Sequence, residues 1–246
     1  VVFAAACSVI DPSSGAAIAT VCALDFLAAC GFQCQAFGLA TLDFGEEVCI
    51  EQALAELGLP YEVRNVLVGA HPARMVFTRT GNVPVTLFRN RFTRAGPTAW
   101  EGGLFLVAFD AFLSANRPDV VLTYGGDPLG SLIIGMAKRH NIPVVFALHN
   151  FAYDDALAFR RVDYVVVPSE FSSAYYRERL GLACHVLPNV LNFARVKVEE
   201  RSAKYLTFVN PQPTKGLFVV ARIAEQLARR RPDIPILVVE GRGRGK

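Results

Sequence analysis

R-P-D-V-V-L-T-Y-G-G-D-P-L-G-S-L-I-I-G-M-A-K-R-H-N-I-P-V-V-F-A-L-H-N (residues 117–150) and R-V-D-Y-V-V-V-P-S-E (residues 161–170) decide the fold of this 246-residue chain. They hold three apolar, β-rich runs, 120–123, 144–148 and 164–167, each bounded by Pro, Gly or Asp. Short continuous runs of this kind read as strands buried on both faces. Between the first two, residues 129–140 are helix-length and mostly apolar. Lys138 and Arg139 sit in the last turn, where cations suit the helix dipole. Strand, helix and strand with short connections predict a βαβ unit of a parallel sheet. Gly125-Gly126-Asp127, His149-Asn150 and Ser169-Glu170 follow the three strands at their carboxyl ends. In an open parallel sheet the ligand crevice lies at those ends, so these residues are the first site candidates.

The alternation extends to both sides. Residues 1–9 read as a strand, Asp11-Pro12-Ser13-Ser14-Gly15 as a loop, and 16–29 as a helix that Gly31 stops. A Ser/Gly loop opening a helix after a strand is an anion-binding arrangement, because free N–H groups and the helix dipole face outward. It lacks both G-x-G-x-x-G and G-K-[ST], so a loop that only caps its helix is the alternative reading. Residues 32–38 predict a second strand, 46–57 a helix ended by Gly58, and 61–68 a third strand. Runs 75–78 and 83–88 flank Thr80-Gly81-Asn82 and read as a β-hairpin inserted at the sheet edge. Arg89, Arg91 and Arg94 follow, either as a solvated basic face or as contacts to an anionic acceptor. Pro97 and Thr98 precede a long helix through Ala115. Beyond the centre, 169–180 reads as a helix and 184–187 as a strand ending at Pro188-Asn189.

Residues 193–203 are charged and without strand pattern, a linker that divides domain 1–192 from a new start at 204–246. There 205–209 is a strand, P-Q-P-T-K-G a loop, 217–231 a helix and 236–239 a strand, and G-R-G-R-G-K closes the chain. Two strands and one helix are too little to bury their own sheet, so the chain is expected to be a fragment.

The composition, 52% hydrophobic and 19% charged, is that of a globular α/β domain able to fill a large core. A net charge of +3 gives no basis for a nucleic-acid partner. No apolar run reaches the roughly 18 residues a membrane span needs, and V-V-F-A-A-A-C-S-V-I reads as a strand and not a signal peptide. Cys7, Cys22, Cys30, Cys34, Cys49 and Cys184 lack C-x-x-C spacing and mostly lie in apolar surroundings. They read as buried, reduced thiols of a cytoplasmic protein, and with four histidines none of which is paired with them, no zinc site is expected.

Several segments in order carry a family resemblance. They are the Ser/Gly loop after the first strand, R-P-D-V-V-L, I-P-V-V-F-A-L-H-N, V-D-Y-V-V-V-P-S-E, the L-P-N step, F-V-N-P-Q-P-T-K-G with its helix, and L-V-V-E-G-R-G. Together the chain resembles glycosyltransferase family 4, retaining nucleotide-sugar transferases of the GT-B fold. The resemblance implies two Rossmann-like domains, here the acceptor-side domain and the start of the donor-binding one. It implies a nucleotide-sugar donor, an acceptor that is a glycan, lipid or small molecule, no metal or other cofactor, and room for peripheral membrane contact. His149 would stand beside the transferring sugar. Gly15 and Ala16 would approach the donor phosphate and sugar with backbone N–H groups, and Lys215 and Gly216 would meet the diphosphate. Ser14, Gly125, Gly126, Asn150, Ser169, Glu170 and Asn189 are further crevice candidates. Two departures stand out: Asn210 occupies the place of a usual arginine, and Val190 follows Pro188-Asn189 where glycine is usual. The family's glutamate-bearing segment, which holds the donor ribose and sugar, would lie beyond Lys246. The expected alternatives are a non-catalytic binding module of the same architecture and a sugar-nucleotide epimerase.

Overall fold

The computed structural model describes residues 1–240 apart from Phe44, Asn192, Arg201 and Ser202. The chain divides into two compact units, Val1–Leu191 and Asn192–Lys246. In the first, β1 (Val2–Ala5), α1 (Gly15–Ala29), β2 (Gln35–Leu39), α2 (Ile50–Glu56), β3 (Tyr61–Val68), β4 (His71–Thr80) and β5 (Val83–Phe88) come first. Then follow α3 (Ala99–Asn116), β6 (Val121–Thr123), α4 (Pro128–Arg139), β7 (Val144–Ala147), β8 (Tyr164–Val167), α5 (Glu170–Leu180) and β9 (Cys184–Val186). The nine strands form one sheet in the order β3-β4-β5-β2-β1-β6-β7-β8-β9.

The central expectation holds: β6 and β7 pair in parallel, with Val121 opposite Val144 and Leu122 opposite Val145. Asp127 caps α4 by accepting from the Gly130 N–H at 2.9 Å, and Pro128 follows at the first helical position, where its missing N–H costs nothing. Lys138 at the far end of α4 pairs with Asp163 at 2.7 Å, and the same carboxylate accepts from the Val144 N–H. That contact ties the helix C-terminus to the start of β7. Helices cover both faces of the sheet. One core layer holds Phe105 and Phe109 of α3, Ile133 and Ala137 of α4 and Tyr176 of α5. The other holds Leu24 of α1 with Ile50, Ala53 and Leu54 of α2.

Several expectations are corrected. The hairpin is not an edge insertion. β5 pairs in parallel with β2 and belongs to the body of the sheet, β4 runs antiparallel to both neighbours, and β3 is the outer strand. The first strand is shorter than 1–9, because the chain bends after Ala5. The second helix starts at Ile50 and not at 46, since the Glu47 carboxylate is drawn away to the Thr93 N–H at 2.7 Å and the Arg94 N–H at 2.9 Å. The cysteines are free, but only Cys34 is buried, and Cys30 and Cys49 are exposed. Arg89 is paired with Glu51 at 2.9 Å, so it is neither a solvated charge nor free for an acceptor.

The second unit holds the short helix α6 (Phe193–Val196), placed where the sequence reads as linker, then β10 (Leu206–Val209), α7 (Leu217–Arg230) and β11 (Ile236–Val239). β10 and β11 pair in parallel, which makes this a second βαβ unit. The G-R-G-R-G-K segment lies outside the described residues.

Candidate functional site

All strands of the first unit except β4 point their carboxyl ends the same way, and the loops there form the candidate site. At the end of β1, Asp11 organises the turn: Oδ1 accepts from the Ser13 N–H at 2.8 Å and the Ser13 hydroxyl at 2.6 Å, and Oδ2 from the Asp43 N–H. Asp11 is buried, so its carboxylate serves the loops and not solvent. Ser14 is the N-cap of α1, yet its side chain makes no capping bond. The first N–H groups of α1, on Gly15 and Ala16, therefore have no side-chain partner, and the helix dipole adds positive potential there.

Counting along α1 from Ala16, Ala19, Thr20 and Ala23 lie on one face by helical spacing. Those three residues line one side of a small, partly open cavity of about 60 Å³, whose other walls include His149, Val166, Pro168, Pro188 and Asn189. His149 and Asn189 are thus brought together, on the same side of the sheet as α1. The His149 ring meets Tyr124 edge to face at 5.9 Å, and its Nε2 is buried with no hydrogen-bond partner. Burial lowers the His149 pKa from the usual imidazole value, so the ring is held neutral at physiological pH. Behind it, the Cys7 thiol donates to the Tyr124 hydroxyl at 3.6 Å. Burial pushes the Cys7 thiol up to about 11 and raises the Tyr124 phenol as well, so both stay protonated. Sequence reasoning missed this pair, since the partners are 117 residues apart and only the β1–β6 pairing brings them together.

The remaining candidates of this unit divide by what their atoms already do. Gly125 has φ +104, a conformation that only glycine adopts without strain, and gives the tight exit from β6. A Cβ on Gly126 would stand 2.9 Å from the Tyr153 ring, so close packing requires glycine there too. Ser169 caps α5, accepting from the Ser172 N–H at 3.2 Å, and Glu170 is exposed at the first helical position. Asn150 accepts from the Ala152 N–H with its side chain, and its carbonyl accepts from the Tyr176 hydroxyl at 2.6 Å. Beside the Asp11 turn lies a pocket of about 430 Å³ whose lining mixes Asp11, Ser13, Glu46, Gln52, Glu56 and Arg94 with Leu42, Val48, Ala53 and Leu57. Arg94 is held by its Nε donating to the Glu46 carbonyl at 2.9 Å, while its Nη1 is buried without a partner.

In the second unit, Asn210 has φ +62 and ends β10, its N–H donating to the Val239 carbonyl at 2.8 Å. The P-Q-P-T-K-G loop closes into one 3-10 turn, Pro213–Lys215, with Lys215 exposed at its end. Gly216, at φ +87, leads into α7, whose N-terminus also lacks a side-chain cap.

The fold has relatives among solved structures. The catalytic domain of starch synthase IV from Arabidopsis thaliana, solved with ADP and acarbose, superposes at TM-score 0.57 with 8% identity, over 97% of this chain and 67% of that one. A glycosyltransferase from Rickettsia africae ESF-5 gives 0.52 with 12% identity, over 97% and 68%. UDP-N-acetylglucosamine 2-epimerase from Rickettsia bellii gives 0.50 with 16% identity, over 96% and 60%. At such identities the likeness is one of fold, and the chain spans 60–68% of the length of these structures. No curated relative matches the sequence. Residues 51–195, more than half of the chain, match the profile of Glycosyltransferase Family 4. The chain belongs to glycosyltransferase family 4.

Proposed function

We propose that this chain is the acceptor-side domain and the opening of the donor domain of a retaining glycosyltransferase. The reaction moves a sugar from a nucleotide-sugar donor to an acceptor hydroxyl. The observation that carries the reading is the cavity that brings His149, with its unpartnered Nε2, and Asn189 against Ala19, Thr20 and Ala23 of α1, the helix whose N-terminus is uncapped. The N–H groups of Gly15 and Ala16 suit a phosphate or a developing anion, and the neutral ring of His149 suits a hydrogen bond to the transferring sugar. Asn189 is assigned to the same sugar. The 430 Å³ pocket, with acceptors from Glu46, Glu56 and Gln52, a donor from Arg94 and an apolar wall of Leu42, Val48 and Leu57, suits an acceptor with both hydroxyl and apolar faces.

Lys215 and Gly216 are assigned to the donor diphosphate, where leaving-group charge grows. This assigns neutralisation to a side chain and a helix N-terminus, with no metal invoked. The remaining donor contacts are assigned to sequence beyond Lys246, in keeping with the share of the related structures that the chain spans. An epimerase calls for several free carboxylates at the crevice, whereas Asp11 and Asp127 are committed to loop and cap bonds, which leaves Glu170 of the strand-end candidates exposed and uncommitted. That favours transfer.

The test is a titration of nucleoside diphosphate into protein carrying the complete donor domain, and into its Lys215→Ala variant, at two salt concentrations. A charge-assisted bond from lysine to phosphate contributes roughly 1.5–3 kcal/mol. Affinity is expected to fall about tenfold to a hundredfold in the variant. Equal affinity of the two proteins ends the diphosphate assignment. A sugar-nucleotide panel run beside it separates the activities: a glycoside of retained configuration supports transfer, and interconversion of sugar epimers without acceptor supports an epimerase.

A further inference from the structure

We propose that the outer edge of β3 pairs with the same edge of a second copy of the chain, antiparallel and centred on Val63. The two edges of the nine-stranded sheet differ. β9 at one end is three residues long, whereas β3 at the other runs for eight, with no Pro, Gly or bulge to interrupt its register with β4. A long, regular edge strand is a template for one more strand. Gly69 and Ala70 form a two-residue turn between Val68 and His71, which makes Val68 and His71 a hydrogen-bonded pair. Alternation along β3 then turns the N–H and C=O groups of Tyr61, Val63, Asn65 and Leu67 outward. Among the described residues those groups find no partner. The far side of β4 has the matching alternation: the Arg89 N–H donates to the Arg74 carbonyl, so Arg74 bonds toward β5 and not toward β3.

Symmetry and charge name the occupant and its register. In a two-fold antiparallel pair each residue and its opposite number must be of the same bonding type, so the axis passes through a residue and not between two. An axis at Arg64 sets that arginine against itself, and one at Asn65 sets Glu62 against the buried Val68. Only an axis at Val63 sets opposite charges face to face: Glu62 of each copy against Arg64 of the other, twice, in the closely spaced non-hydrogen-bonded pairs. Glu62 and Arg64 already pair within β3 at 2.7 Å and are more than half exposed, so four charges of alternating sign meet at the seam. On the other face of the sheet the same register lays Val63 on Val63 and Tyr61 on Asn65. It also carries Leu67, 75% exposed, to Leu59 of the second copy. The nine strands of each copy then form one continuous sheet whose halves run in opposite directions, and the two candidate sites open at opposite ends. The pairing depends on no step of sugar transfer.

Sedimentation velocity of the 246-residue chain over a range of concentrations is expected to show a monomer–dimer equilibrium. Glu62→Arg and Arg64→Glu each set like charges opposite one another twice, and each is expected to raise the dissociation constant roughly tenfold or more. A mixture of the two variants restores opposite signs across the seam, and is expected to dimerise at least as tightly as the parent. Val63→Pro removes an outward N–H that β4 does not use, a substitution edge strands tolerate, and is expected to leave monomer. Circular dichroism and thermal unfolding check that each variant folds. The proposal is overturned by a parent that stays monomeric throughout, by association indifferent to the single charge reversals, or by a mixture no tighter than its components. Association that survives Val63→Pro belongs to another surface and overturns it too.

Discussion

His149→Ala is expected to lower turnover by about a hundredfold or more in protein with a complete donor domain, the scale of losing one positioned hydrogen-bond partner to the reacting group. The same change is expected to leave stability nearly untouched. The imidazole Nε2 already lacks a partner, so truncation removes a buried group whose desolvation is uncompensated. Kinetics on a defined donor, with thermal unfolding of both proteins, make the comparison. A parallel collapse of activity and melting temperature would show that the ring supports the fold and not the reaction.

The pH dependence gives an independent reading of the same residue. Burial lowers the folded-state pKa of His149 below its unfolded value. At pH above the unfolded pKa, about 6.5, both states are neutral and the group contributes nothing. As pH falls below that value the unfolded chain takes the proton first, so stability is lost until the folded-state pKa is reached. Unfolding titrations of the first unit are expected to show a shallower acid decline in His149→Ala than in the parent. Identical slopes would mean that the ring is not shielded from water.

The second large effect lies in the core. Phe37, on β2 near the middle of the sheet, is 2% exposed and packs against Phe105 at 5.4 Å, Phe109 at 5.5 Å and Phe112 at 4.8 Å. Phe37→Ala removes a ring that joins the sheet to α3 and leaves a cavity that the neighbouring rings close only in part. The expected cost is about 3–5 kcal/mol in denaturant unfolding of the chain, enough to unfold a marginal domain. Phe37→Leu, which keeps most of the volume, is expected to cost well under half as much. A loss below about 1 kcal/mol for the alanine would mean that α3 re-docks without the ring.

What the sequence determined about this protein was local. The runs at 120–123, 144–148 and 164–167 are continuous, β-branched and bounded by breakers, and they became β6, β7 and β8 within a residue of their expected ends. Because the segment between the first two runs is helical, that connection had to be a crossover and that pair parallel, which put Gly125 and His149 at strand carboxyl ends. The same local signals located the Asp11–Gly15 turn and the lysine loop. Pairing between distant segments was decided only by the tertiary structure. Nothing in 83–88 says that it lies beside β2 and not at an edge, because both faces of a half-buried strand read alike whichever neighbour it takes. Glu47 could have opened a helix, and it did not because Thr93 and Arg94, 46 and 47 residues away, offered its carboxylate better-placed donors. Cys7 and Tyr124 met for the same reason, each being unremarkable until β1 and β6 lay side by side. The cavity beside His149 belongs with them: its walls come from α1, β6, β7, β8 and the Pro188–Asn189 step, and a space between five segments has no residue of its own to be read.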